Sequence, residues 1–118
     1  MSSSAQMQKP VVGGWFPVDP HSEKIQELAK WAVDEENKKP SVYKLAYKKA
    51  FYAEEQIVSG RNYRIDFEAY INIFPGPAAK TEKVGKFQAI IYEDLKGNLE
   101  LTKFSPLLQA NEKIAVAN

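Results

Sequence analysis

Few residues in this 118-residue chain could carry bond-making chemistry. The only histidine, His21, stands beside Asp19 and Pro20, and no segment supplies the partners of a Ser-His-Asp relay or a histidine metal site. Asp34-Glu35-Glu36 looks like a carboxylate cluster. Consecutive residues on a helix point about 100° apart, however, so these three cannot converge on one substrate. There is no cysteine, which removes disulfides, thiolate metal sites and a thiol nucleophile together. It leaves the compartment open, because a cysteine-free fold suits reducing and oxidising surroundings alike. No glycine loop of the P-loop or dinucleotide type is present. The expectation is a protein that is not an enzyme and has no cofactor and no metal site.

Three other segments point to recognition instead. Val12, Gly13 and Gly14 place a glycine pair inside the bulky run Val11–Val18. Gln56-Ile57-Val58-Ser59-Gly60 puts apolar side chains at a hairpin tip, where solvent ordinarily selects polar ones. Leu95 and Lys96 open a second turn with Gly97 and Asn98.

These segments need a frame, and periodicity supplies one. Asp19 before Pro20 reads as a helix start, and Ile25, Leu28, Ala29 and Ala32 fall on the i, i+3, i+4, i+7 template. Pro40 stops further winding, so a helix is expected over 20–38. Strands follow. Leu45, Tyr47 and Phe51 share one parity over 42–56. Tyr63, Ile65, Phe67, Ala69 and Ile71 alternate with Arg64, Asp66 and Glu68 over 61–73. Phe87, Ala89 and Ile91 repeat the pattern over 86–94, and Leu99, Leu101 and Lys103 begin a run ending near 107 or 108. Ser59-Gly60 marks a turn, Pro75 to Gly85 a long excursion, and Lys96-Gly97-Asn98 a tight hairpin turn.

The expected fold class is α+β, one N-terminal helix packed across a four- to five-stranded antiparallel sheet, with 11–18 able to add an edge strand. Residues 1–10 are expected to be a flexible tail and 11–118 a single domain. In an up-and-down sheet alternate turns share an end, so the 56–60 and 95–98 turns are expected side by side. The 11–15 segment joins them if it runs along the sheet, and the three form a wedge.

Charge and composition bound the partners. Lys and Arg total 16 against 15 Asp and Glu, a formal net charge of +1, which argues against a nucleic-acid binder. No apolar run approaches membrane-spanning length. The opening Met1–Gln6 lacks the charged and apolar regions of a secretory signal, so the protein is expected to be cytoplasmic, or secreted with its leader removed.

The sequence resembles the cystatins, especially the plant cystatins, over roughly residues 11–108. The resemblance rests on Gly13-Gly14-Trp15, on the helix segment Leu28 to Asn37, and on Gln56-Ile57-Val58-Ser59-Gly60, which matches the family's Gln-x-Val-x-Gly loop. It implies a reversible inhibitor of papain-like cysteine proteases. The wedge of Val12, Gly13, Gly14, Gln56, Ile57, Val58, Ser59, Gly60, Leu95 and Lys96 would block the active-site cleft. The family usually carries Pro-Trp where Leu95 and Lys96 stand, which implies weakened or redirected inhibition. A weaker resemblance, through Ala32–Lys38 and Tyr92-Glu93-Asp94, links the chain to the cystatin-fold sweet protein monellin. The alternatives are therefore a cystatin-fold binder that does not inhibit cysteine proteases, or an inhibitor retargeted to aspartic proteases. The protein is expected to be a monomer. Val58, β-branched at a turn the resemblance implies is strained, is expected to permit a domain-swapped dimer.

Overall fold

Alternation of apolar and polar side chains commits most of this chain to extended structure, and the computed structural model describes it over residues 13–41, 43–73 and 83–107. The elements run β1 (Trp15–Val18), α1 (Glu23–Asn37), β2 (Tyr43–Val58), β3 (Gly60–Ile73), β4 (Lys83–Glu93) and β5 (Leu99–Pro106). They form a five-stranded sheet in the order β1-β2-β3-β4-β5, every neighbouring pair antiparallel. The 11–18 segment does add an edge strand, with Trp15 opposite Gln56 and Val18 opposite Ala53. The expected tail 1–10, Val12 and residues 75–82 of the expected 75–85 excursion lie outside the described residues. Lys83 to Gly85 belong to β4 and not to that excursion.

The helix starts later than its sequence signal suggests. Ser22 is the N-cap: its Oγ accepts from the Ile25 amide at 3.2 Å. Asp19 instead folds the approach, its carboxylate accepting from the His21 amide at 2.8 Å. At the far end Asn37 clamps the helix to the sheet. Its side-chain amide donates to the Leu45 carbonyl at 2.8 Å and its side-chain oxygen accepts from the Leu45 amide at 2.9 Å. One residue thus replaces a missing strand neighbour for both backbone groups of Leu45.

The helix presses Ile25, Leu28, Ala29, Ala32 and Val33 onto one face of the sheet, where Ala50, Ala53, Ala69 and Ala89 are fully buried. These small residues let the helix axis lie close to the strands. Phe67 centres the core. It stacks tilted on Phe87 at 6.0 Å and meets Phe104 edge-on at 5.7 Å.

Two parity readings are corrected. Phe51 is exposed, not inward. The register between β2 and β3 slips once between Tyr47 and Lys49 and again between Ala50 and Tyr52. Each bulge inserts one unpaired residue and turns the strand over, so the inward series reads Leu45, Ala50, Ala53. A third slip, opposite Ile90/Ile91, does the same to β5. Phe104 therefore packs on the core, while Lys103 is exposed. Val58 is not the strained residue of the first hairpin either. Among the described residues positive φ falls only on glycines, here on Gly60 at 97°, so the hinge premise for a swapped dimer loses its residue.

Candidate functional site

The two hairpin loops and the start of β1 meet at one end of the sheet. Pairing of Trp15 with Gln56 brings Gly13 and Gly14 to the first hairpin, and pairing of Arg61 with Glu93 brings the second hairpin beside it. The hairpin tips enclose a cleft of about 530 Å³ walled by Ile57 and Val58 on one side and Leu95 and Lys96 on the other. Arg61 and Glu93 also border it. Of the residues expected at the wedge, Gly13, Gly14, Gln56, Ile57, Val58, Ser59, Gly60, Leu95 and Lys96 stand on these three segments. Val12 lies outside the described residues.

Gln56 ties two of the segments together. Its side-chain amide donates to the Gly13 carbonyl at 2.6 Å, while its side-chain oxygen accepts from Asn62 at 2.8 Å. Asn62 thus sets which way the Gln56 amide faces, and the Gln56 amide holds the glycine segment. Gly13 itself has φ 90° and nothing within 4 Å of a notional Cβ, so glycine is required there by backbone conformation and not by crowding.

Tyr92 ties the two hairpins together: its hydroxyl donates to the Ser59 carbonyl. Gly60 fits beneath that contact only because it has no side chain. A Cβ would lie 2.4 Å from the Glu93 carbonyl oxygen and 2.9 Å from the Tyr92 hydroxyl.

Beneath the tips lies a charged floor. Glu55 points inward and is buried, and Arg61 donates to it at 2.7 Å, which holds the guanidinium pKa above its ordinary value. Lys24 on the helix pairs with Glu93 at 3.0 Å, and the Tyr63 hydroxyl reaches Glu93 at 3.4 Å. Burial first, and then the Glu55 charge, raise the Tyr63 pKa, so the phenol stays protonated and able to donate.

The second turn is wider than a tight hairpin. Residues 94–98 form a five-residue loop in which Gly97 has φ 92°. Asp94, Asn62 and Tyr92 were not singled out from sequence as site residues. The signal for Asp94 was present: an Asp followed by Gly and Asn at the third and fourth positions is a self-capping loop. Asn62 and Tyr92 give no such signal, because their roles depend on strand register. Among the described residues no three His, Cys, Asp or Glu side chains gather to hold a metal, and no helix is long and apolar enough to cross a membrane.

The profile of a known family, described as "Aspartic acid proteinase inhibitor", matches residues 18–107. The chain belongs to this family. Relatives from Oryza sativa subsp. japonica agree with the placement. Cysteine proteinase inhibitor 8 is 38% identical over 102 residues, covering 82% of this chain and 73% of that one. Cysteine proteinase inhibitor 6 is 33% identical over 84 residues, covering 68% of this chain and 66% of its own. In three dimensions, the crystal structure of salivary cystatin from the soft tick Ornithodoros moubata superposes with a TM-score of 0.67 at 19% identity, over 83% of this chain and all of that one. The protein is a plant cystatin-like chain with the cystatin fold. Its family profile begins at Val18, so the glycine segment and β1's first residues stand outside the matched region.

Proposed function

We propose that this chain is a reversible inhibitor of papain-like cysteine proteases that works by occlusion, without chemistry of its own. The observation that carries the reading is the meeting of Gly13-Gly14, the 56–60 hairpin and the 94–98 loop at one end of the sheet, with Ile57, Val58 and Leu95 on its rim. Its named relatives are inhibitors and not enzymes. The glycine backbone passes the catalytic thiol without a Cβ to collide with it, and turns away before a peptide carbonyl is presented for attack. Ile57 and Val58 fill the cleft by apolar burial. The tethers from Gln56 and Tyr92 exist in the free protein, which lowers the ordering cost of association.

A second reading is inhibition of aspartic proteases. The family description favours it, and so does a second loop with no aromatic residue, where Leu95 and Lys96 stand. One experiment tests both: titration of papain and, in parallel, pepsin with the intact protein. Inhibition of papain at micromolar protein or below supports the first reading. Inhibition of pepsin alone replaces it with the second, and inhibition of neither refutes both.

A further inference from the structure

The 94–98 loop projects from the sheet without packing to hold it: Leu95, Lys96, Gly97 and Asn98 are all exposed. Leu95 is 82% exposed, against 46% for Val84, the next of the exposed large apolar residues described. A loop so placed ordinarily samples many conformations, yet five hydrogen bonds close this one on Asp94. The Asp94 amide donates to the Asn98 carbonyl at 2.9 Å, and the Gly97 amide donates to the Asp94 carbonyl at 3.0 Å. The Asp94 carboxylate takes the other three. Oδ1 accepts from the Lys96 amide at 2.9 Å and the Asn98 amide at 2.8 Å, and Oδ2 accepts from the Asn98 side chain at 3.1 Å. Across the cleft stand Ile57 and Val58, so the held loop faces Leu95 toward the other apolar tip.

We propose that Asp94 is the positioning residue of this hairpin, freezing the 94–98 loop in the free protein so that Leu95 is offered, already ordered, as an aliphatic anchor for an apolar subsite of the target protease. The role of Leu95 rests on the inhibitor reading above; the freezing of the loop does not. Preorganisation matters here because each loop residue ordered on binding subtracts from affinity, and a leucine recovers that loss only if it arrives ordered. The same amide donors, led by Asn98, hold the Asp94 carboxyl below the ordinary carboxylate range. Its contribution is therefore present above that range and lost only as the pH falls through the lowered value.

The test compares wild type, Asp94→Ala, Asp94→Asn, Leu95→Ala and the Asp94→Ala/Leu95→Ala double variant as inhibitors of papain and pepsin. Amide hydrogen exchange is measured on the free proteins. Asp94→Ala is expected to weaken inhibition about ten- to a hundredfold, with only a small fall in melting temperature because the loop is exposed. Asp94→Asn is expected to restore inhibition to within about threefold, since both backbone amides bond to one oxygen that an asparagine still supplies. Leu95→Ala should also lose about ten- to a hundredfold, and the double variant little more than either single one, because Asp94 acts through Leu95. Losses that multiply in the double variant, or full inhibition by Asp94→Ala, would overturn the proposal. If wild type inhibits neither enzyme, the inhibitor reading and the role of Leu95 fail together, and exchange decides the rest. Protection at Lys96 and Asn98 that is lost in Asp94→Ala and kept in Asp94→Asn upholds the positioning; protection unchanged in both refutes it.

Discussion

Replacing Gly60 with alanine separates two costs that no other glycine among the described residues combines. Gly13, Gly60 and Gly97 have nearly the same φ, at 90°, 97° and 92°. At each, an alanine pays about 1–2 kcal/mol for a left-handed backbone. Around Gly13 and Gly97 a Cβ meets nothing within 4 Å, so the cost ends there. At Gly60 the Cβ would sit 2.4 Å from the Glu93 carbonyl oxygen, a backbone atom that cannot rotate away. β3 and β4 must part where Arg61 pairs with Glu93, and overpacking of this kind costs about 1–3 kcal/mol more. Gly60→Ala is therefore expected to lose about 2–5 kcal/mol in urea unfolding, and Gly97→Ala about 1–2 kcal/mol, with the same slope on urea. Adding Tyr92→Phe to Gly60→Ala removes the hydroxyl 2.9 Å from the new Cβ but leaves the carbonyl, so it should recover little. Equal losses for Gly60→Ala and Gly97→Ala would refute the steric part of the argument. Full recovery by Tyr92→Phe would show that the hydroxyl, not the strand backbone, was the obstacle.

Two further outcomes follow from the hydrogen-bond geometry. Gln56→Ala removes both its bond to Gly13 and its bond from Asn62, so it should cost only about 1 kcal/mol in stability while releasing the glycine segment. Faster amide exchange at Trp15 together with weaker protease inhibition is the expected pair, and unchanged exchange would remove Gln56 from the tether. Asp66 is different: burial raises its pKa above the ordinary carboxylate value, only partly opposed by the bond from Gln88 and the charge of Arg64. Its folded pKa exceeds its unfolded one, so its stabilising contribution is complete at acid pH and lost as pH rises through the raised value. Asp66→Asn, which still accepts from Gln88, should therefore raise the melting temperature at pH 7 and lose that gain as the pH falls into the carboxylate range.

The helix, the antiparallel strands and the convergence of three segments at one end were legible from sequence, because periodicity and turn residues are local signals. Phe51 and Lys103 were misread for one reason. Parity counting assumes an unbroken pleat, and a bulge is decided by the partner strand, which no local window contains. The helix start was misplaced because two capping residues, Asp19 and Ser22, lie three apart, and only the backbone decides which one opens the helix. At the site the glycines and Gln56 were visible by type. Asn62 and Tyr92 were not, since each works across a strand pair. Glu55 was hidden in another way: the two bulges of β2 cancel, so parity from Leu45 does carry to it, but a carboxylate is not expected on a buried face until its ion-pair partner Arg61 is seen across the hairpin.

Those bulges also bear on how the protein behaves in a crowded solution. β1 covers β2 only from Ala53 to Gln56, which leaves the 43–52 stretch as a sheet edge with no strand beside it among the described residues. A flat edge of that length would be a template on which further chains could add strand by strand. Here the edge is bent at two places, and Lys48 and Lys49 stand exposed at the first bend. An incoming strand would find its hydrogen-bonding groups out of step and two cations in its path. The irregularity that defeats parity counting thus also acts against fibre growth along this edge.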